Sequence, residues 1–458
     1  MLGDVKRGAI TYSKCSILKL ECFTRFLRLT FRIVKGDEYL KITVHGGARE
    51  IGGSCVGVQT EDCKVALDYG TKFEESSRNQ LPEDFDAIII SHAHLDHSGQ
   101  LLSLSKKKPI IVGSKVTREV TVALLHDMVK VQSQNNTDYP YYRHDPDAIK
   151  ENWWVREYVA LPGMTIKLHP AGHVAGARMT SICSENKEVV YTGDFCVHDS
   201  EILEGCNTKA LPKKPDVLIT ESTYGGKVRS PRSELIDEFF KQILAAMRRK
   251  GNVLIPTFAF HRSQEMAKRI DDAMKDGVLP RYNVYTISNL ANKITEIFNE
   301  NKECFTKKIQ QQKLPFDYSH VKHLYRTGQI KEPAVVICTS GFGHAGASLR
   351  LLTDWAEDEN NSVLLTSGYL PPDSPLKSAK EERRFRNNGD QISVKAEIEQ
   401  IELSGHADQI ELVKMVKKLK PKRTILVHGD IEQAQAFSEE IEEMTEVCIP
   451  KKGETIAV

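Results

Sequence analysis

The sequence predicts a layered α/β fold in which a second α/β unit is inserted into the first. Three observations indicate this organisation. Apolar β-branched runs alternate with helical segments, a second alternating series begins near residue 213, and a strand carrying a glycine turn returns after residue 391. With 458 residues the chain is long enough to bury two hydrophobic cores.

The expected boundaries divide the chain into four segments. Residues 1–38 form an N-terminal extension, which we interpret as one or two extra strands or a weakly ordered arm. Residues 39–212 form the first part of the first unit, 213–390 the inserted unit, and 391–458 the part that completes the first unit. We therefore expect the first unit to be assembled from two separated stretches of chain.

Local composition predicts the elements of the first unit. Between residues 40 and 70, three short β-branched runs separated by glycine pairs and an acidic turn predict a β-meander. The apolar runs at 86–90 and 109–113 predict strands, and residues 115–134 predict a helix. Strand and helix thus alternate, as a layered α/β unit requires.

The inserted unit repeats this alternation and resembles a doubly wound arrangement. The charge-rich segment 377–389 is interpreted as an exposed return linker. The expected strands are 216–221, 252–256, 334–338 and 362–366, and the expected helices are 233–250 and 263–276.

The segment Ser91–Gly99 carries the strongest functional signal, because His92, His94, Asp96 and His97 lie within six positions directly after a buried strand. Alternation along the chain lets His92 and His94 project to one side and presents Asp96 and His97 from the other. Imidazole and carboxylate ligands suit zinc, and also manganese or iron, while the absence of cysteine argues against a closed structural zinc site. The pattern predicts open coordination with bound water, and therefore hydrolysis.

Five further residues combine a ligand-type side chain with a strand end or a glycine turn. Each alone is more often an ordinary turn residue. Together with the histidine-rich loop they indicate further parts of one site. They are Asp68, His173, Asp194, His406 and His428.

Composition excludes several classes of protein. The net charge of +1 gives no global attraction to polyanions, so a nucleic acid would have to be held by a local groove or by metal ions. The ten cysteines form no CxxC pair, which predicts reduced thiols in a cytoplasmic protein. The longest apolar runs fall short of the ~18 residues of a membrane-spanning helix, so no membrane association is expected.

In order along the chain, Asp68, the HxHxDH series, His173 and Asp194 resemble the signature of the metallo-β-lactamase fold, an αββα sandwich. Glu221, His406 and His428 resemble the motifs of its β-CASP branch of nucleic-acid nucleases. The chain is most similar to archaeal and bacterial homologues of the nuclease subunit of the cleavage and polyadenylation specificity factor, with ribonuclease J as the sister group. The motifs are AREIGGSC, SHAHLDHSGQL, AGHVAGA, YTGDF, ITESTYG and LVHGD.

The resemblance implies two Zn²⁺ ions per chain, with Mn²⁺ as the alternative. One ion would be held by His92, His94 and His173, the other by Asp96, His97 and His428, with Asp194 bridging both. It also implies that His406 protonates the leaving oxygen, that Glu221 orients His406, and that Asp68 steers a ligand histidine.

The implied activity is hydrolysis of single-stranded RNA to 5′-phosphate and 3′-hydroxyl ends, in RNA 3′-end processing or decay. Both endonuclease and 5′-to-3′ exonuclease action stay open, and relatives suggest a homodimer. Two alternatives are a non-catalytic RNA-binding scaffold subunit and a small-molecule metallo-hydrolase of the same fold. RNA phosphates would be held by Arg262 and by the turn containing Ser340, Gly341 and Gly343.

Overall fold

The computed structural model describes residues 40–72, 81–104, 108–134, 145–184 and 186–458. The expected N-terminal extension, residues 1–38, lies outside the described residues. Across the described ranges, none of the helices combines the length and the apolar character that crossing a bilayer requires.

The first part of the chain supplies most strands of the first unit. The expected β-meander is present as the first three strands, and the expected helix 115–134 is found over the same range. The strands are β1 (Lys41–Gly46), β2 (Cys55–Gln59), β3 (Lys64–Leu67), β4 (Ala87–Ile89), β5 (Ile110–Val112), β6 (Trp153–Trp154), β7 (Tyr158–Leu161), β8 (Met164–Pro170), β9 (Arg178–Ser184), β10 (Lys187–Tyr191) and β11 (Val217–Glu221). The helices are α1 (Leu95–Ser98) and α2 (Lys115–Gln134), with 3₁₀ turns at Leu101–Ser103, Pro146–Asn152 and Thr208–Ala210.

The middle of the chain alternates helices and strands. The charge-rich segment expected to be a linker instead contains helix and strand, because Ser374 caps a helix that buries Leu376 and Ala379. In order the elements are α3 (Arg232–Arg248), β12 (Val253–Pro256), α4 (Arg262–Lys275), β13 (Asn283–Ile287), α5 (Asn289–Glu300), α6 (Lys307–Gln310), β14 (Val321–His323), β15 (Ala334–Cys338), α7 (Gly346–Trp355), β16 (Ser362–Leu365), α8 (Pro375–Glu382), β17 (Arg384–Asn387), β18 (Asp390–Ser393) and β19 (Glu397–Gln400). Further 3₁₀ turns lie at Lys302–Cys304 and Thr327–Gln329.

The end of the chain returns to the first unit. Its strands pair with those of the first part, so both sheets of the sandwich contain residues from the two ends of the described chain. The elements are α9 (Gln409–Leu419), β20 (Arg423–Val427), α10 (Ile431–Ile441), β21 (Glu446–Cys448) and β22 (Thr455–Ala457).

Two seven-stranded sheets pack face to face and form the first unit. Their orders are β22-β1-β2-β3-β4-β5-β6 and β21-β20-β11-β10-β9-β8-β7. The core between them contains β-branched and aliphatic side chains from both sheets, such as Val44 and Val65 from one sheet and Val189 and Ile425 from the other. With helices on the outer faces, this is the expected αββα sandwich, and the predicted fold class is confirmed.

The third sheet, of order β14-β13-β15-β12-β16-β19, belongs to the inserted unit and is buried on both faces. Two strands lie in a different sheet from the one expected. β19 falls in the segment expected to complete the first unit, but it pairs in parallel with β16 of the third sheet. The other is β11, which was expected in the inserted unit. The structure places β11 in the second sheet of the sandwich, where it pairs in parallel with β10 and β20. A fully buried apolar run is compatible with either sheet, so its composition alone could not assign it.

Candidate active site

The site residues follow the carboxyl ends of strands in both sheets of the sandwich. Asp68 follows β3 and His92 lies three residues beyond β4, which pair in parallel in the first sheet. Asp194, Glu221 and His428 lie at the ends of β10, β11 and β20, three parallel neighbours in the second sheet. Because parallel strands present their carboxyl ends at one edge, these distant residues meet.

The first group of ligand-type atoms comprises His92, His94, His173 and Asp194. Nδ1 of His94 lies 2.9 Å from Nε2 of His92 and 3.4 Å from Nε2 of His173. Oδ2 of Asp194 lies 3.6 Å from Nε2 of His92 and 3.7 Å from Nε2 of His173. Three imidazole nitrogens and one carboxylate oxygen therefore point at a common centre.

The second group comprises Asp96, His97 and His428. Nε2 of His97 lies 3.4 Å from Nε2 of His428 and 3.7 Å from Oδ2 of Asp96. The same nitrogen lies 3.3 Å from Oδ2 of Asp194. Asp194 therefore faces both groups, and its position between them suits a bridging ligand.

The chemistry of these donors fits divalent cations. Nitrogens of neighbouring imidazoles face each other at hydrogen-bond distance, although each neutral ring carries only one N–H. Oδ1 of Asp194 accepts no hydrogen bond while the side chain is only 2% exposed. Buried polar atoms without partners are costly, and cations at the two centres would satisfy them.

Burial sets the protonation of the first group. It lowers the pKa of His94 to about 4 and those of His92 and His173 well below their usual range, so these rings are neutral near pH 7. Burial also opposes the charged form of His97, but the nearby carboxylates of Asp194, Asp96 and Asp68 outweigh it and raise its pKa. Neutral imidazoles and ionised carboxylates are the forms that bind metal ions, so His97 would release its proton when a cation binds beside it.

Asp68 holds the ring of His97. Its carboxylate accepts hydrogen bonds from Nδ1 of His97, from the hydroxyl of Tyr191, and from both the amide and the hydroxyl of Ser91, all at 2.6–2.7 Å. The residue is fully buried and has φ of +64°, in the left-handed region that aspartate adopts more readily than most other residues. It therefore directs Nε2 of His97 towards the second group.

His406 and Glu221 form a pair beside these groups. Nδ1 of His406 lies 2.8 Å from Oε2 of Glu221 and 3.9 Å from Oδ2 of Asp194. The other oxygen of Glu221 accepts a hydrogen bond from the amide of Phe195, which fixes the carboxylate. The side chain of His406 is 20% exposed whereas that of Glu221 is fully buried, so the histidine is the member of the pair that reaches solvent.

Several residues that complete the site were missed by the sequence analysis. The hydroxyl of Thr223 contacts Nδ1 of His428 at 3.2 Å, and Tyr224 packs edge-on against His406 at 5.9 Å. Arg229 donates to the carbonyls of His406 and Ser404 at 2.5 and 3.3 Å. Their only sequence signal was that Thr223 and Tyr224 lie two and three residues after Glu221.

The inserted unit contacts the same site. The ring of Phe260 lies 5.2 Å from that of His94, and Nδ1 of His261 accepts a hydrogen bond from the amide of Ala175. Ala291 and Phe298 of α5 share one hydrophobic core with α2. The inserted unit is thus packed against the sandwich where the ligand-type residues meet.

The residues expected to hold RNA phosphates are engaged within the protein. Arg262 pairs with Glu265 at 2.5 Å and its side chain is 16% exposed. The Ser340 hydroxyl lies 3.4 Å from both the amide and the carbonyl of Ala345, and Gly341 and Gly343 are buried. The structure therefore does not bring these four residues into the ligand groups around Asp194.

Three family models match successive parts of the chain. Residues 53–240 match the metallo-beta-lactamase superfamily, 263–374 the Beta-Casp domain, and 391–450 the Zn-dependent metallo-hydrolase RNA specificity domain. The chain belongs to the β-CASP branch of the metallo-β-lactamase superfamily, and the resemblance stated from its motifs is confirmed. The class defined by its fold and site is that of metal-dependent hydrolases.

Similar proteins occur in archaea and eukaryotes. The chain is 29% identical to the probable RNase MJ4 of Methanocaldococcus jannaschii, covering 92% of this chain and 100% of the relative. It is 27% identical to the RNase aCSPSF2 of Saccharolobus solfataricus, over 93% of this chain and 87% of the relative. It is also 27% identical to the cleavage and polyadenylation specificity factor subunit 3 of Dictyostelium discoideum, over 92% of this chain and 58% of the relative.

A solved structure shares the fold. A protein of unknown function from Enterococcus faecalis V583 superimposes with a TM-score of 0.57 at 15% sequence identity. The alignment covers 92% of this chain and all of that one. This likeness extends the fold assignment to nearly the whole chain and carries no information about substrate.

Proposed function

We propose that this protein is a dinuclear-metal ribonuclease that hydrolyses single-stranded RNA to 5′-phosphate and 3′-hydroxyl ends, in RNA 3′-end processing or decay. The observation that carries the proposal is the pair of ligand groups on either side of Asp194, with Nδ1 of His406 lying 3.9 Å from Oδ2 of Asp194 and 2.8 Å from Glu221. A small-molecule hydrolase of this fold would not need the inserted unit against the site. The names of the relatives, which include ribonucleases and RNA-processing subunits, support the same substrate class.

We assign two Zn²⁺ ions, with Mn²⁺ as the alternative, to the two ligand groups. His92, His94 and His173 would hold one ion, and Asp96, His97 and His428 the other, with Asp194 between them. When bound, such a pair of cations neutralises the phosphate oxygens and activates a water molecule for in-line attack at phosphorus. This chemistry suits a phosphodiester, since negative charge accumulates on its oxygens in the transition state.

The chain's own residues then orient the substrate and move a proton. His406 delivers a proton to the leaving 3′ oxygen, and Glu221 holds its Nδ1 so that Nε2 faces the substrate. Arg229 fixes the backbone of the same loop through the carbonyls of Ser404 and His406. The imidazole of His406 is thus held through both its side chain and its main chain. This restraint keeps the ring in an orientation suited to proton transfer.

The setting of the enzyme is part of the proposal. The cysteines within the described ranges are free thiols, which supports a reducing compartment such as the cytoplasm. Single-stranded RNA is the proposed partner, and the similarity to known relatives is the reason for proposing a homodimer.

The test is a time course on one single-stranded RNA labelled at its 5′ end, prepared with a 5′-monophosphate or a 5′-triphosphate, in the presence of zinc or manganese. We expect cleavage that stops when a chelator is added and that is absent in Asp194→Ala. Immediate labelled mononucleotide, released faster from the monophosphate, would identify a 5′-to-3′ exonuclease. Internal fragments that do not depend on the 5′ group would identify an endonuclease.

The control is the variant Asp62→Ala, which changes an exposed carboxylate in a turn of the same unit. It should cleave at the wild-type rate. Wild-type protein loaded with metal that cleaves neither RNA would contradict the proposal and favour a scaffold role.

A further inference from the structure

Three adjacent strands of the inserted sheet each lead into an aromatic residue at the same edge. β15, β12 and β16 are parallel neighbours, and beyond their carboxyl ends lie Phe342, Phe258 and Tyr369 respectively. His344 follows two residues after Phe342. These four residues are named the aromatic cluster here.

The rings of the aromatic cluster contact one another and remain accessible. Phe342 lies at the centre, with ring centroids 4.9 Å from Phe258, 6.2 Å from His344 and 6.2 Å from Tyr369. Phe258 is 41% exposed and Tyr369 39% exposed. Large aromatic side chains grouped in this way at a surface are typical of a binding site rather than of a core.

The aromatic cluster is linked to the candidate active site by two short stretches of backbone. Phe258 lies two residues before Phe260, whose ring contacts that of His94. Tyr369 follows Gly368, which packs so closely on Tyr224 that a Cβ at position 368 would lie 2.2 Å from the Tyr224 hydroxyl. Since Tyr224 in turn contacts His406, Phe258 and Tyr369 each lie within two residues of a position that packs against the site or its neighbours.

The glycines in the turn from Thr339 to Gly346 allow the close packing of the aromatic cluster. A Cβ at Gly341 would lie 3.1 Å from the backbone and ring of Phe258, and one at Gly343, where φ is +73°, would lie 2.7 Å from Leu376. The glycines therefore allow Phe342 to lie against Phe258. This accounts for the glycine-rich turn without a bound phosphate.

We propose that the aromatic cluster stacks nucleobases of single-stranded RNA next to the scissile phosphate. The inference rests on the proposed ribonuclease function and assigns to the inserted unit the recognition of the bases. The cluster consists of aromatic rings whose polar groups are the Tyr369 hydroxyl and the imidazole of His344, and Nε2 of His344 lies 3.4 Å from a carboxylate oxygen of Asp373. It therefore suits the face of a base better than a phosphate. Stacking accepts every base, and truncating such a ring typically weakens binding by about 1–3 kcal/mol per base.

The first experiment compares steady-state cleavage of a single-stranded RNA by Phe342→Ala, Tyr369→Ala and wild type. We expect KM to rise roughly fivefold to a hundredfold in each variant, the range that stacking energies give. Phe342→Tyr and Tyr369→Phe, which keep a ring, should restore the wild-type KM. Tyr325→Ala is the matched control, because Tyr325 is 68% exposed in the same unit and outside the cluster.

The second experiment uses the wild-type protein and a set of RNAs that each lack one base. With the wild-type protein, KM should rise when the missing base lies at one or two particular distances from the cleaved bond. With Phe342→Ala, removing the same bases should leave KM unchanged, because the base and the ring contribute to one and the same contact. An effect that is equal at all positions, or additive with Phe342→Ala, would overturn the inference. So would alanine variants that cleave with the wild-type KM.

Binding of a fluorescent RNA to chelator-treated protein, followed by anisotropy, separates this inference from the proposed function. Weaker binding by the double variant Phe342→Ala/Tyr369→Ala supports the aromatic cluster even if the wild type proves inactive as a nuclease. Equal binding by both proteins overturns the inference while leaving the nuclease assignment intact. A change of oligomeric state in the double variant, with unchanged RNA binding, would instead identify the cluster as an interface between copies.

Discussion

At the scale of single residues, the ligand-type histidines are oriented by hydrogen bonds to residues outside the two ligand groups. His97 has its ring held by Asp68, and Nδ1 of His173 donates a hydrogen bond to the carbonyl oxygen of Gly405 at 2.8 Å. Such contacts decide which ring nitrogen carries the proton and which is free for a metal ion. A substitution at Asp68 should therefore lower the affinity for the metal ion more than it lowers the stability of the fold.

Asp68→Asn should weaken zinc binding by about 10- to 100-fold, the usual cost of losing a partner of a ligand histidine. In the wild type, the carboxylate of Asp68 accepts hydrogen bonds from Ser91, His97 and Tyr191. The amide of asparagine keeps one acceptor oxygen, but its NH₂ group would face some of these donors and could not accept from them. Zinc affinity can be measured by competition with a chromophoric chelator, with Asp62→Asn as the exposed control. An unchanged affinity in a folded Asp68→Asn protein would contradict this role.

His406→Ala should lower kcat on RNA by about 10²- to 10⁴-fold, the range for removing a general acid. Metal content should be unchanged, because Nδ1 of His406 is held by Glu221 at 2.8 Å and lies further, 3.9 Å, from Oδ2 of Asp194. Metal per chain is measured by mass spectrometry alongside the rate, and Tyr325→Ala, which changes an exposed ring outside every described group of ligand-type residues, is the control. Loss of metal in His406→Ala would mean that the residue is a ligand.

At the scale of elements, α4 carries a buried charge network into the region between the units. Glu265 contacts Arg232 and Arg262 at 2.6 and 2.5 Å, and Arg269 at 3.4 Å. Arg269 also pairs with Glu201 of the sandwich at 2.5 Å, so the network joins the two units. Burial disfavours the ionised carboxyl, but the guanidinium groups outweigh it and lower the pKa of Glu265 to about 2.

Glu265→Gln should destabilise the protein by about 3–5 kcal/mol at pH 7, because it leaves buried guanidinium groups without their shared carboxylate. The folded pKa of about 2 lies below the usual 4.5, so this contribution is complete above pH 4.5 and declines as the pH falls towards 2. Urea unfolding at a series of pH values measures the difference between variant and wild type. A difference that stays constant down to pH 3 would exclude this ionisation as its source, and Glu300→Gln is the surface control.

The sequence indicated the cluster of ligand-type residues better than its surroundings. His92, Asp194 and His428 could be found because each ligand-type residue stands in a turn after an apolar strand, which is a local signal. Arg229 and Phe260 could not be found, because their roles come from contacts with residues far away in the chain. The same limit explains β11, whose buried run fits either sheet until its neighbours are known.

At the scale of the whole molecule, the ligand groups lie at the junction of the sandwich and the inserted unit. Phe260 and His261 contact one side of the site, and the cores of α2 and α5 merge beside it. Most ligand-type side chains are at most 4% exposed, whereas Asp96 and His406 are 26% and 20% exposed. A substrate therefore reaches the site along a restricted path between the units.

This geometry predicts that blunt double-stranded RNA resists cleavage. A duplex keeps its bases stacked and paired, so the strand to be cut must first be opened before its phosphate enters the site. Opening three base pairs costs about 4 kcal/mol at ~1.4 kcal/mol per step, which corresponds to roughly a thousandfold slower cleavage than for the single strand. The comparison uses the same labelled strand alone and annealed to its complement, and adding a single-stranded overhang of increasing length should restore cleavage once the overhang reaches the site. Rapid digestion of the blunt duplex would contradict the restricted path, because it would require an opening wide enough for both strands.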